Sequence, residues 1–377
     1  MKLKTFNMNL KEEILLTQKL IRFETINPPG NEKQIAEFIG EILISHGFNV
    51  KYPKLSENRY HLIAEKGITD KFSPIVLCGH LDVVPLSSKK WTVDPFKGEI
   101  INGKIFGRGA SDMKSGVAAI ICAAIQIFNE NPPKKGIRIF LTADEETGCS
   151  GARNLCSKKY NIGKASGLII AEPTANIPIT GHKGGLFINA STQGVAVHSS
   201  TPHKGENAIY KAARAILKLE KFEFNVEEDE LLGFPTLNVG TIKGGMNFNS
   251  VPDRAEFTID VRLTKKLSSA DALQMLKDEL GEDVTLEPFV DLNACYTDEK
   301  NAFIQTVYEV CKSEGIESKL PALAPYLTDA SVIQPWYDNV PTVILGPGQP
   351  EQGHQTDEFC YVNKIEQAVK IYKKIII

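Results

Sequence analysis

The sequence predicts an α/β protein, a mostly parallel sheet flanked by helices, interrupted by an α+β insert. Three observations predict this. Short apolar runs alternate with helical stretches up to about Thr180; near Gly181 strands of alternating polarity take over; helical and apolar segments resume from about Asp298. Strands covered on both faces read as continuous apolar runs, whereas strands with one wet face alternate.

Taken in order, Leu10–Phe23 repeats apolar residues at helical spacing and stops before INPPGNE, whose Pro-Pro-Gly forces a loop. A second amphipathic helix covers Glu32–His46. Strand Ile75–Cys78, a small-residue helix Gly116–Phe128, strand Ile137–Thr142, a helix near Gly151–Ser157 and strand Gly167–Ala171 follow. The insert reads strand–helix–strand–strand–helix–strand: GGLFINASTQG, helix Glu206–Leu219, TLNVGTIKGG, RAEFTIDVRL, helix Ser268–Leu280, then a last strand. One domain therefore takes 1–180 and 296–377, and the insert takes 181–295.

The chain has 377 residues, 42% hydrophobic and 24% charged, with net charge −3. No basic stripe points to nucleic acid or an anionic membrane, so a small molecule is the expected partner. Met1–Leu10 has no apolar core suited to a signal peptide and no window approaches eighteen uninterrupted apolar residues, so the expected location is the cytoplasm. Seven cysteines without CxxC spacing read as reduced, buried thiols.

The chemistry lies in five spaced motifs: GHLDVVP, GRGASDMKSG, ADEETG, AEPT and GHQTDE. They supply His80, Asp82, Asp112, Glu145, Glu146, Glu172 and His354, several directly after an apolar run, where α/β sheets gather ligands. His80 and Asp82 share a face of an extended segment, so Asp82 is expected to hold the His80 tautomer. Taken singly Asp112 reads as a helix N-cap, although its two oxygens also let a carboxylate bridge two cations about 3.5–4 Å apart. Glu145 and Glu146 follow a strand and point different ways, so that one can ligate and the other face substrate. Two imidazoles and hard carboxylates suit zinc, with cobalt or manganese as substitutes.

On these motifs, in this order, the chain resembles the zinc-dependent family of aminoacylases, glutamate carboxypeptidases, acetylornithine deacetylases and succinyl-diaminopimelate desuccinylases. The resemblance runs from INPPGNE to GHQTDE, and implies a phosphorylase/hydrolase-like catalytic domain with a dimerisation or lid insert. It implies one metal on His80, Asp112 and Glu172, and another on Asp112, Glu146 and His354. Glu145 falls at the family's general base and Asp82 at the residue supporting the first histidine. His198 is implied to reach across a homodimer to the partner's developing oxyanion. Asn249 and Arg262 match positions that hold the substrate near its carboxylate.

The resemblance further implies metal-assisted hydrolysis of an N-acyl amino acid, with Glu145 carrying the proton between water and the departing amine. Glu172, where aminopeptidases of the family tend to carry Asp, points to N-acyl substrates. Succinyl-diaminopimelate desuccinylase is the leading reading, followed by acetylornithine deacetylase or a broader N-acyl-amino-acid hydrolase, then a dipeptidase or carboxypeptidase. A succinyl group needs an extra cation, for which Lys183, His203, Lys204 and Lys243 are available. KGGL at 183–186 has glycines where such desuccinylases place an arginine.

Overall fold

The computed structural model describes residues 10–157, 159–160, 162–317 and 322–377. All of Met1–Leu10 except Leu10 lies outside them. The chain divides into two compact units: Met1–Gly181, Tyr296–Ala322 and Thr328–Ile377 form one, His182–Cys295 with Leu323–Leu327 the other. Leu323–Leu327, which the sequence assigns to the first domain, belongs to the second because Lys183 N–H donates to the Ala324 carbonyl. Pairing between segments far apart in sequence leaves no local signal.

The first unit is built on six strands in the order Asn49–Lys51, Leu62–Lys66, Ile137–Thr142, Ile75–His80, Gly167–Ile170 and Thr342–Ile344. The last four run parallel, and the first two pair antiparallel at one edge. Ile75–His80 and Ile137–Thr142 are buried along their whole length, as their unbroken apolar runs require. The register sets His80 beside Thr142 and Cys78 beside Ile170. Consequently the chain leaves these strands at one edge, and the acidic residues that follow arrive there together.

Helix Ser115–Glu130 is apolar nearly all round and packs into the same core. The stretch 110–130 is long and apolar enough to cross a membrane, but 78% of its 18-residue apolar window is buried inside the protein. Its start is fixed by a close approach: a Cβ on Gly116 would lie 2.1 Å from the Ala171 carbonyl. Only glycine lets the Asp112 turn come that near the strand end carrying Glu172. Gly151 does the same beneath Glu145, where a Cβ would meet the Ala143 carbonyl at 1.6 Å. All seven cysteines are free and buried.

The second unit is a four-stranded antiparallel sheet in the order Thr236–Gly244, Arg254–Leu263, Gly184–Gln193, Val284–Leu292. Alternate residues Ala255, Phe257, Ile259, Val261 and Leu263 turn inward against helices Ala208–Leu219 and Ser269–Leu280. Asn207 and Ser268 cap those helices by accepting from the Tyr210 and Asp271 amides. The first helix thus begins two residues later than its apolar pattern predicts. Thr236–Gly244, at the sheet edge, is largely exposed.

His61, at the foot of strand Leu62–Lys66, is fully buried and its Nδ1 accepts from the Ala143 N–H at 3.0 Å. Accepting requires an unprotonated Nδ1, and burial pushes the imidazole pKa down to about 4. The unfolded imidazole titrates near 6.5, so its contribution to stability is complete above that pH and drains away as pH falls toward 4. Relative to His61→Gln, the wild-type unfolding free energy in urea should fall by about 2–3 kcal/mol between pH 7.5 and 4.5. A difference independent of pH would contradict a buried neutral imidazole.

Candidate metal centre

His80 ends its strand, and Thr142 hands the neighbouring strand to Asp144, Glu145 and Glu146; Ile170 leads to Glu172. Asp112 sits in the turn ahead of helix Ser115–Glu130, and His354 occupies an exposed loop with φ 64°. The structure brings these residues into two groups that share Asp112. In each group, His80–Asp112–Glu172 and Asp112–Glu146–His354, the ligand atoms lie within 4.8 Å of one another. His80 Nε2 is 3.1 Å from Asp112 Oδ1 and 3.8 Å from Glu172 Oε1. On the other side His354 Nε2 is 3.1 Å from Glu146 Oε2 and 3.6 Å from Asp112 Oδ2.

Asp82 stands beside His80, as expected, and also does something the sequence did not suggest. His80 Nδ1 donates to the backbone carbonyl of Asp82 at 2.9 Å, while the nearer carboxylate oxygen is 3.6 Å away. That carboxylate accepts from the Glu145 N–H at 3.1 Å, the Glu146 N–H at 3.2 Å and Asn27 Nδ2 at 2.8 Å. One buried carboxylate therefore fixes the backbone of both glutamates, while the backbone of Asp82 sets the His80 tautomer and leaves Nε2 facing the acids. Burial opposes charge on Asp82, but His80 and these donors hold its pKa down to about 2.

The remaining acids show the opposite trend. Burial, reinforced by neighbouring carboxylates, pushes the pKa values of Glu145, Glu146 and Glu172 upward. Burial opposes charge on His80 too, but Glu172 and Asp112 outweigh it and raise the imidazole pKa well above 6.5. Glu146 Oε1 is buried without a hydrogen-bond partner. Like charges forced together, with an acceptor left over and two imidazole nitrogens aimed at them, fit divalent cations. Protons and imidazolium hold the charge that such cations would otherwise balance.

His198, Asn249 and Arg262 lie on the second unit. His198 is exposed, and its Nδ1 accepts from the Ser200 N–H at 3.1 Å, which leaves the proton on Nε2. Asn249 is also exposed and sits beside it, its carbonyl accepting from the Ser199 N–H. The Arg262 guanidinium lies 2.9 Å from Asp260 and 5.1 Å from the Phe187 ring centre. Of the spare cations, Lys183 is already engaged, donating to the Phe234 carbonyl at 2.6 Å.

Sequence reasoning missed the residues that hold this site in shape. Asn27 bridges Asp82 and Asp144, 2.8 Å to each, and Arg59 ties Asp144 to the buried Glu32. INPPGNE supplies Asn27 and Glu32, and its density of polar residues around a fixed loop was the available signal. Glu358, in the same motif as His354, is fully buried. Its carboxylate accepts from the Gly109, Ser111 and Asp112 amides at 2.8–3.0 Å and pairs with Arg108 at 2.7 Å. Arg108 Nη1 also donates to the Gln355 carbonyl, so the pair joins the turn of Asp112 to the loop of His354.

Glu358→Gln should therefore leave Arg108 unpaired and set an amide against backbone donors. Urea unfolding should show a loss of about 3–5 kcal/mol, the scale for breaking a buried ion pair. A loss below about 1 kcal/mol would contradict the assignment.

Residues 76–377 match the model of peptidase family M20/M25/M40. A probable succinyl-diaminopimelate desuccinylase of Staphylococcus aureus is 32% identical, with 97% of this chain and 98% of that protein aligned. An acetylornithine deacetylase of Vibrio cholerae is 29% identical over 97% of both chains. The crystal structure of an M20 family metallo-carboxypeptidase from Sulfolobus solfataricus superposes with a TM-score of 0.81 at 18% identity, covering 97% of this chain and 99% of that one. The chain belongs to the M20/M25/M40 peptidase family.

Proposed function

We propose that the protein hydrolyses the acyl amide of an N-acyl amino acid, with succinyl-diaminopimelate as first substrate. The observation that carries this reading is the pair of three-residue groups sharing Asp112, with Glu145 beside them. His80, Asp112 and Glu172 hold one divalent cation, and Asp112, Glu146 and His354 a second, zinc first, with cobalt or manganese as substitutes. When bound, the two cations would acidify a water and polarise the scissile carbonyl.

Glu145 does the proton work. Fixed through its amide by Asp82 and raised in pKa by burial, it takes a proton from the attacking water and returns it to the departing amine. His198, with its proton on Nε2, serves as donor to the developing oxyanion from the partner of a homodimer formed through the second unit. Asn249 and Arg262 hold the substrate carboxylate, Arg262 exchanging Asp260 for it. Cytoplasmic location belongs to the same reading.

The relative named as a desuccinylase supports the succinyl substrate. Acetylornithine deacetylation is favoured by different observations: Lys183, one of four candidate cations for a second substrate carboxylate, already donates to the Phe234 carbonyl, and KGGL at 183–186 has glycines where such desuccinylases place an arginine. Hydrolysis of succinyl-diaminopimelate, acetylornithine and a simple dipeptide, side by side with and without chelator, separates these readings. The first should be turned over fastest, and every activity should vanish with chelator; a preference for the dipeptide would overturn the proposal. Glu145→Ala should bind cations like the wild type and lose turnover by about 10²–10⁴. Retained turnover with loss of cations would contradict its role.

A further inference from the structure

Behind Glu145 lie two buried residues, Cys149 and Asp329, that the proposed reaction does not use. Each offers a ligand atom that, with one from Glu145, lies within 4.8 Å of the other two. Cys149 Sγ is 3.6 Å from Glu145 Oε1, close to the edge length of a tetrahedral site with metal–sulfur and metal–oxygen bonds of about 2.3 and 2.0 Å. Asp329 Oδ2 accepts from Thr142 Oγ1 at 2.6 Å. Asp329 is only 2% exposed. A carboxylate this deep in the protein, hydrogen-bonded by the Cys149 thiol and beside a second carboxylate, offers a cation a ligand in exchange for that thiol proton.

We propose that Glu145, Cys149 and Asp329 form an inhibitory site for a third, thiophilic divalent cation such as cadmium or excess zinc. The donor set differs from that of the two neighbouring groups, which contain no sulfur. Thiolate selects softer ions, so the site discriminates by chemistry as well as by position. Binding displaces the thiol proton, and any proton held by the Glu145 and Asp329 carboxyl groups, to solvent, and forms one metal–sulfur and two metal–oxygen bonds with no change of oxidation state. Charge permits it: three anionic ligands on one dication leave −1, against the +1 left where two dications meet Asp112, Glu146 and Glu172. The consequence is loss of the proton carrier, since Glu145 is withdrawn into coordination; this part rests on the proposed role of Glu145.

The test is a cadmium titration of the enzyme already loaded with two cations, following sulfur-to-cadmium charge-transfer absorption, bound metal and hydrolysis together. One further equivalent should bind, the absorption should appear, and activity should fall about 10²-fold or more, in line with removal of the acid–base group. Cys149→Ser retains a donor to Glu145 and should hydrolyse substrate without the absorption or the inhibition. Asp329→Asn should weaken the third equivalent at least tenfold. Absence of the absorption in the wild type, or its persistence in Cys149→Ser, would overturn the site. Absorption with undiminished hydrolysis would support the site and overturn Glu145 as the proton carrier. Thermal unfolding of both variants separates these outcomes from misfolding.

Discussion

Mutual repulsion among buried carboxylates is the constraint on which the rest of the structure depends. Asp112, Glu146 and Glu172 are drawn together at the end of a sheet, with Glu145 at their side. A folded chain tolerates such a cluster only where positive charge or protons balance it. The upward pKa shifts of Glu145, Glu146 and Glu172, and the raised pKa of His80, express that demand. Two dications on these ligands, as proposed, would satisfy it and leave Glu145 free to carry a proton.

Holding like charges together requires scaffolding, and two buried carboxylates supply it through the backbone. Asp82 accepts from the amides of Glu145 and Glu146, and Glu358 from those of Gly109, Ser111 and Asp112. Hydrogen bonds from amides to a carboxylate are charge-assisted, and each acid accepts from more than one amide, so it fixes a turn rather than a single side chain. The backbones of Glu145, Glu146 and Asp112 thus owe their positions to two acids outside the candidate ligand groups. Glycine completes the arrangement where Gly116 and Gly151 let helices reach the strand ends.

Much of this was legible in the sequence. The parallel strands announced themselves as apolar runs, and an acid or imidazole just beyond such a run placed His80, Glu145, Glu146 and Glu172 at one sheet edge. The α+β order of the insert followed from alternation and two helical stretches. What stayed hidden depends on long-range pairing: Glu358 meets Gly109 across 249 residues, and Asn27 meets Asp144 across 117. No local periodicity encodes such contacts. The same reason explains why only the imidazole two residues away was read as a partner of Asp82, whose carboxylate also accepts from amides 63 and 64 residues downstream. Asp329, with no motif around it, gave no signal at all.

The account stands most directly on the number of cations that the buried acids require. Elemental analysis of the purified protein, after zinc loading and exhaustive dialysis, should return two equivalents per chain, falling to one or none in Asp112→Ala, because that carboxylate belongs to both groups. Wild-type protein that retains no metal, or an Asp112→Ala variant that still retains two equivalents, would contradict the shared two-cation centre.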